Sequence, residues 1–302
     1  MMDEVAVSRR AFVAGAGAAL AAMACINTDA AAAATTTQSA PRYRISASDW
    51  MMLKRQKPGA VPLAAECGLD GVEVDMGPLG KRPDFENNLR KEDFLSDYMA
   101  AVRQHKLEIS SLAMSAFYGQ PFADHPSAER FAREWIELMP KLRTRVGFLP
   151  IISKNDLASD EAARAKLIEC FKKVGPVAQK AGVVLGLNTP LDADQNNRLL
   201  DAIGSSAVRI AYNIGEAVDA KRDAYKELKT LGRERIAQII PTLSDNKWLQ
   251  EDERIDVPKL KAVLDEMNWS GWLVLQRSRR AGPKPKENFS ANAAYLKSIF
   301  QV

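Results

Sequence analysis

A (β/α)₈ barrel, the TIM-barrel class of α/β fold, is what this sequence predicts, on three observations. Short β-branched runs alternate with amphipathic helical stretches eight times after residue 41. Strands alternating with helices build a parallel sheet covered by helices, and eight units in about 260 residues match the size of a closed barrel. The turn after the first strand, Ser46-Ala47-Ser48-Asp49-Trp50, has none of the glycines that a doubly wound sheet places there to cradle a phosphate.

The elements follow in order. A strand over 43–47 leads to a helix over 53–67, which stops at Gly68. The second strand, 71–75, alternates Val72 and Val74 with Glu73 and Asp75, so the valines face the helices and both carboxylates point into the barrel. Helix 91–105, strand 108–113, helix 127–142 and strand 146–151 continue the pattern. Helix 160–181 stops at Gly182 before strand 183–187, and helix 192–203 stops at Gly204 before strand 208–212. Helix 222–232, strand 236–240, helix 257–267, strand 272–275 and helix 288–300 complete the series. Function in such barrels sits at the C-terminal ends of the strands.

Composition bounds the rest. With 46% hydrophobic and 26% charged residues, the chain of 302 residues is neither disordered nor a polytopic membrane protein. A net charge of +4 over that length is no nucleic-acid footprint. Two histidines rule out a His-rich metal site, and three cysteines are too few and too scattered for a disulfide framework or zinc ribbon. The same histidine count argues against a metallonuclease.

Residues 1–34 read as an address rather than as fold. Ser8-Arg9-Arg10-Ala11-Phe12-Val13 resembles the twin-arginine export motif of bacteria. A mild apolar stretch over 11–24 follows, too short and too weakly apolar to be a good membrane span, and then small residues over 30–34 suit cleavage. The expectation is a signal peptide over 1–34, a barrel over 41–302, periplasmic or otherwise exported location, and no stable membrane insertion once the signal is removed.

The later strand ends carry a family resemblance. They read Gly186-Leu187-Asn188-Thr189-Pro190, Tyr212-Asn213-Ile214-Gly215-Glu216 and Leu275-Gln276-Arg277-Ser278-Arg279. Together with Leu199 to Ser205, Arg235-Ile236-Ala237-Gln238-Ile239, Ile255-Asp256-Val257-Pro258 and Gly271-Trp272-Leu273-Val274-Leu275, they resemble the xylose isomerase-like barrels, the sugar phosphate isomerase/epimerase family. The similarity covers nearly the whole chain after residue 41. It implies a divalent metal held by Glu, Asp, His and Glu after strands five to eight, with the two Glu residues moving protons between sugar carbons. This sequence departs at each position. Asn188, Asn213 and Gln276 replace the acids, and the His position falls on Ile240 or Thr242. Hard divalent cations want anionic oxygens, and a carboxamide has no basic pair to take a proton. The expectation is therefore no metal and no cofactor, with the three amides binding sugar hydroxyls.

Other residues near the mouth complete the candidate set. Tyr118 lies in an aromatic loop, Ser115 to Pro126, that suits a lid over a sugar face. His125 in that loop, Glu73 and Asp75 on strand two, and Asp245 after strand seven are the candidate acid–base groups. Lys154 after strand four and Arg277 after strand eight are candidates for anionic or keto oxygens. The leading expectation is a sugar isomerase or epimerase, or a lyase, working on a sugar or keto-sugar without metal. A non-catalytic sugar-binding barrel and a partner subunit of another exported enzyme are the rivals. The partner is a small carbohydrate, and pairing into a homodimer suits barrels of this kind.

Overall fold

In a computed structural model, residues 41–151, 157, 159–242 and 246–302 are described. The expected signal segment over 1–34, Lys154 and Asp245 lie outside them. Eight parallel strands close into a barrel in sequence order: β1 (Tyr43–Ser48), β2 (Gly71–Asp75), β3 (Glu108–Ala113), β4 (Val146–Pro150), β5 (Val184–Asn188), β6 (Val208–Asn213), β7 (Ile236–Ile240) and β8 (Gly271–Leu275). β8 pairs back onto β1, with Ile45 opposite Leu273. The predicted barrel is thus the observed fold.

The outer ring is α1 (Ala60–Glu66), α2 (Glu92–Gln104), α3 (Ala128–Lys141), α4 (Glu161–Ala181), α5 (Ala193–Ile203), α6 (Ile214–Asp219), α7 (Ala224–Leu231), α8 (Val257–Glu266) and α9 (Pro285–Phe300). Aspartates start several of them. Asp160, Asp192, Asp223 and Asp256 each accept a main-chain N–H of the first turn, satisfying donors the helix itself leaves open. Two elements differ from expectation. α1 begins at Ala60 rather than residue 53, because Leu53 and Gln56 adopt φ of 60° and 46° and wrap the chain around Asp49. Asp49 accepts the Gln56 N–H at 2.9 Å, which brings Arg55 and Gln56 to the mouth. α6 was not foreseen; the Asn213 side chain starts it by accepting the N–H groups of Gly215 and Glu216.

Strand alternation divides the core in two. Val72, Val74, Leu185, Leu187, Leu273 and Leu275 face the helices in one large apolar layer. Inside the barrel, Ala113, Phe148, Ala211, Ile240, Trp272 and Val274 form a second cluster, with Trp50 and Tyr118 packed on it. Close approach is built in on the outside. A Cβ on Gly147 would stand 2.1 Å from the Trp135 ring, so only glycine lets that indole lie on β4. Trp135 is fully buried and donates its Nε1–H to Leu112 O at 2.7 Å. Truncating such a tryptophan costs about 3–5 kcal/mol. The barrel interior is therefore filled below, and its polar residues gather at the top.

Candidate active site

The strand tops bring together four carboxylates, Asp49, Glu73, Asp75 and Glu216, in different surroundings. Glu73, fully buried on β2, accepts four hydrogen bonds from four other strands or their ends. Ser48 Oγ and Gln276 Nε2 reach Oε1 at 2.7 and 3.0 Å, and Ser111 Oγ and Gln238 Nε2 reach Oε2 at 2.7 and 2.8 Å. All four donors are neutral. Burial raises the Glu73 pKa, and the four hydrogen bonds hold it back only in part.

Asp75, the second carboxylate of that strand, has a separate environment. It accepts the Gly77 N–H at 2.6 Å and the Ser115 N–H at 3.1 Å, tying down the loops after β2 and β3. Arg55 Nε stands 3.6 Å away. Burial pushes Asp75 up to about 6, against the pull of Arg55. Beside it lies Asp49, also fully buried and raised well above the usual carboxylate range by burial and by Asp75 itself. The sequence reading paired Glu73 with Asp75; the structure pairs Asp75 with Asp49.

The carboxylate at the open end is Glu216, in the first turn of α6. Asn188 Nδ2 donates to its Oε2 at 2.8 Å and Asn213 Nδ2 to its Oε1 at 3.0 Å. Burial pushes Glu216 up to about 7, with Asn188, Arg277, Asn213 and Arg222 pulling the other way. The sequence reading places Glu216 at the end of strand six and assigns it no role; the structure puts it on a helix that the reading does not include.

The three amides thus present N–H groups to carboxylates. Asn213 Oδ1 is spent on the start of α6, and Gln276 Oε1 accepts the Tyr118 hydroxyl at 2.7 Å. Asn188 Oδ1 is buried and has no hydrogen-bond partner among the described residues. Ile240 ends β7 inside the apolar barrel cluster, and Thr242 Oγ1 accepts the Arg277 N–H at 3.2 Å. Among the described residues, no three His, Cys, Asp or Glu side chains gather as a metal group.

The aromatic loop splits its residues. Phe117 turns into a cluster with Phe85, Phe122 and Phe131, while Tyr118 turns to the mouth. His125 goes with the first group. Its ring lies 4.9 Å from Phe131, its Nδ1 accepts the Ser127 N–H at 3.1 Å, and burial lowers its pKa. None of these contacts joins it to Glu73, Glu216 or Gln276.

Comparison with known proteins fits this architecture. The chain belongs to the xylose isomerase-like TIM barrel family, which matches residues 61–299. No curated protein matches the sequence. Among solved structures, a sugar phosphate isomerase/epimerase from Parabacteroides distasonis is similar, with a TM-score of 0.66 and 16% identity over 88% of this chain and 96% of that one. A D-allulose 3-epimerase from Methylomonas sp. in complex with D-allulose has a TM-score of 0.68 at 12% identity, covering 86% of this chain and 98% of that one. A 3-keto-D-glucoside 4-epimerase from E. coli has a TM-score of 0.64 at 14% identity, covering 85% and 99%. At these identities the likeness is one of fold. Among the described residues, no helix is long and apolar enough to cross a membrane.

Proposed function

We propose that this chain is an exported enzyme of the isomerase/epimerase kind that moves a proton on a sugar or keto-sugar, with Glu216 as acid–base group and without a divalent metal. The observation that carries the reading is the placement of Glu216. A carboxylate at the barrel mouth, held by two amides and pushed up to about 7, is poised to take and return a proton near neutral pH.

The donor set supports the metal-free part. The family's metal needs anionic oxygens, and the positions that would supply them carry amides whose hydrogens are turned toward Glu216 and Glu73. These residues do not fit such an ion. They do fit a polyol: the buried, unpartnered Asn188 Oδ1 is an acceptor awaiting a hydroxyl. The epimerases of like fold act on ketoses and keto-glucosides according to their names, which agrees with a carbonyl-adjacent proton. In the proposed step, the Glu216 carboxylate removes a proton from the carbon beside the carbonyl. The electron pair moves onto the carbonyl oxygen, and the Tyr118 hydroxyl, which donates to Gln276 Oε1 in the free protein, turns to donate to that oxygen instead. Glu216, whose proton exchanges with solvent, then protonates the former carbonyl carbon, while the hydroxyl proton of the first carbon passes to the enolate oxygen and leaves the carbonyl on that first carbon.

Glu216 here takes the role that sequence alone offered to Glu73, Asp75, His125 and Asp245. Glu73 and Asp75 are fully buried and committed to neutral donors and loop amides, and His125 supports the start of α3. The test is solvent deuterium wash-in. Chelator-treated protein incubated in D₂O with ketoses and keto-glucosides is expected to label a carbon-bound position by NMR. Binding of those sugars without any label would leave a sugar-binding barrel and reject the catalytic reading.

A further inference from the structure

Arg277 sits at the seam of three loops. Its N–H bonds Thr242 Oγ1, and a Cβ built on Gly215 would stand 2.4 Å from Thr242 O. The chain after β6, β7 and β8 is therefore pressed together there, and the Arg277 charge acts on Glu216. The Arg277 side chain is exposed and has no hydrogen-bond or ion-pair partner among the described residues. Neighbouring arginines are spent. Arg55 faces Asp75 at 3.6 Å, Arg222 pairs with Glu227 at 2.9 Å, and Arg280 is held by Glu251 and lies 3.9 Å over the Trp248 ring.

We propose that the ligand of this mouth carries a carboxylate and that Arg277 binds it, which makes the substrate class a sugar acid or keto-sugar acid. This rests on the acid–base reading above and narrows it. A guanidinium presents a planar pair of donors that matches a carboxylate two-to-two. Charge balance favours carboxylate over phosphate. Among the described residues, the unpaired Arg277 offsets one negative charge, whereas a phosphate dianion would bring a second charge up to Glu216. The remaining groups suit the rest of such a ligand. Asn188 Oδ1 accepts a hydroxyl, and Trp50 and Tyr118 offer rings to a sugar face. Arg277 also pulls both Glu216 and Tyr118 toward lower pKa, so all three share one field.

The experiment is calorimetric titration of the chelator-treated chain with matched probes: D-glucuronate, D-galacturonate and D-mannuronate, the parent hexoses, and their 6-phosphates. At least one hexuronate is expected to bind about tenfold or more tighter than its parent hexose, a gain appropriate to a charged hydrogen-bonded pair. Arg277→Gln removes that preference, and Arg277→Lys keeps part of it. Hexuronates no tighter than hexoses, 6-phosphates tighter than hexuronates, a preference that survives Arg277→Gln, or no binding in any series overturns the proposal. A hexuronate that binds through Arg277 but takes up no deuterium would instead reject the acid–base reading and leave this one standing.

Discussion

Asn188 donates its side-chain N–H to Glu216 Oε2 at 2.8 Å, across the tops of adjacent strands. With Asn213 on the other oxygen, two amides favour the ionised form of a carboxylate that burial pushes toward protonation. They fix its orientation without fixing its charge. A lysine or a metal ion in their place would lock Glu216 as an anion.

That arrangement sets the expected kinetics. Glu216→Gln should lower deuterium wash-in by about two to four orders of magnitude, the usual share of a general base. Because the carboxylate form is the base, kcat/KM of the wild type should rise with pH through about 7 and level off above it. A profile flat across that range would assign the proton transfer to another group.

Stability should run the opposite way with pH. Glu216 is raised from 4.5 to about 7 and Asp75 from 3.8 to about 6. A folded state that holds protons more tightly than the unfolded chain has its full stability below the unfolded values and loses it as pH rises through the folded ones. The Glu216 share is at most on the order of 3 kcal/mol. The Tm should therefore fall between pH 5 and 8, and Glu216→Gln should make that fall shallower. Equal slopes for the two proteins would mean that Glu216 titrates normally.

Gln276→Glu tests the neutral ring around Glu73. Gln276 Nε2 lies 3.0 Å from Glu73 Oε1, so the substitution sets two carboxylates against each other in a buried site. Destabilisation of about 1–3 kcal/mol is expected at pH 8, with less at pH 5, where the pair shares a proton. Chemical denaturation at both pH values checks the difference.

Export can be checked independently of chemistry. Replacing Arg9 and Arg10 by Lys in the full chain should retain the protein in the cytoplasm of a twin-arginine-competent bacterium, while the wild type is recovered from the periplasm. Unchanged fractionation of the substituted chain would reject the address read from residues 1–34.

The barrel was legible because its signals are local. Two-residue alternation put Val72 and Val74 outward and Glu73 inward, and spacing placed Asn188, Asn213 and Gln276 at strand ends, where they are found. What escaped depends on register between distant strands. The partners of Glu73 come from Ser48, Ser111, Gln238 and Gln276, which no local pattern links. Asp49 was missed because it sits in a turn whose wrapping depends on left-handed residues at Leu53 and Gln56. Glu216 did leave a signal. Asn followed three residues later by Glu is a helix-start pattern, and Asn213 to Glu216 obeys it.

The most direct measurement is the metal content of the purified chain, by elemental analysis after growth in media supplemented with manganese, magnesium and zinc. A mouth lined by amides, with Glu216 carrying the proton, is expected to retain no stoichiometric metal, and deuterium wash-in should survive chelation. One tightly held divalent ion per chain, lost together with activity on chelation and restored by adding it back, would contradict the account.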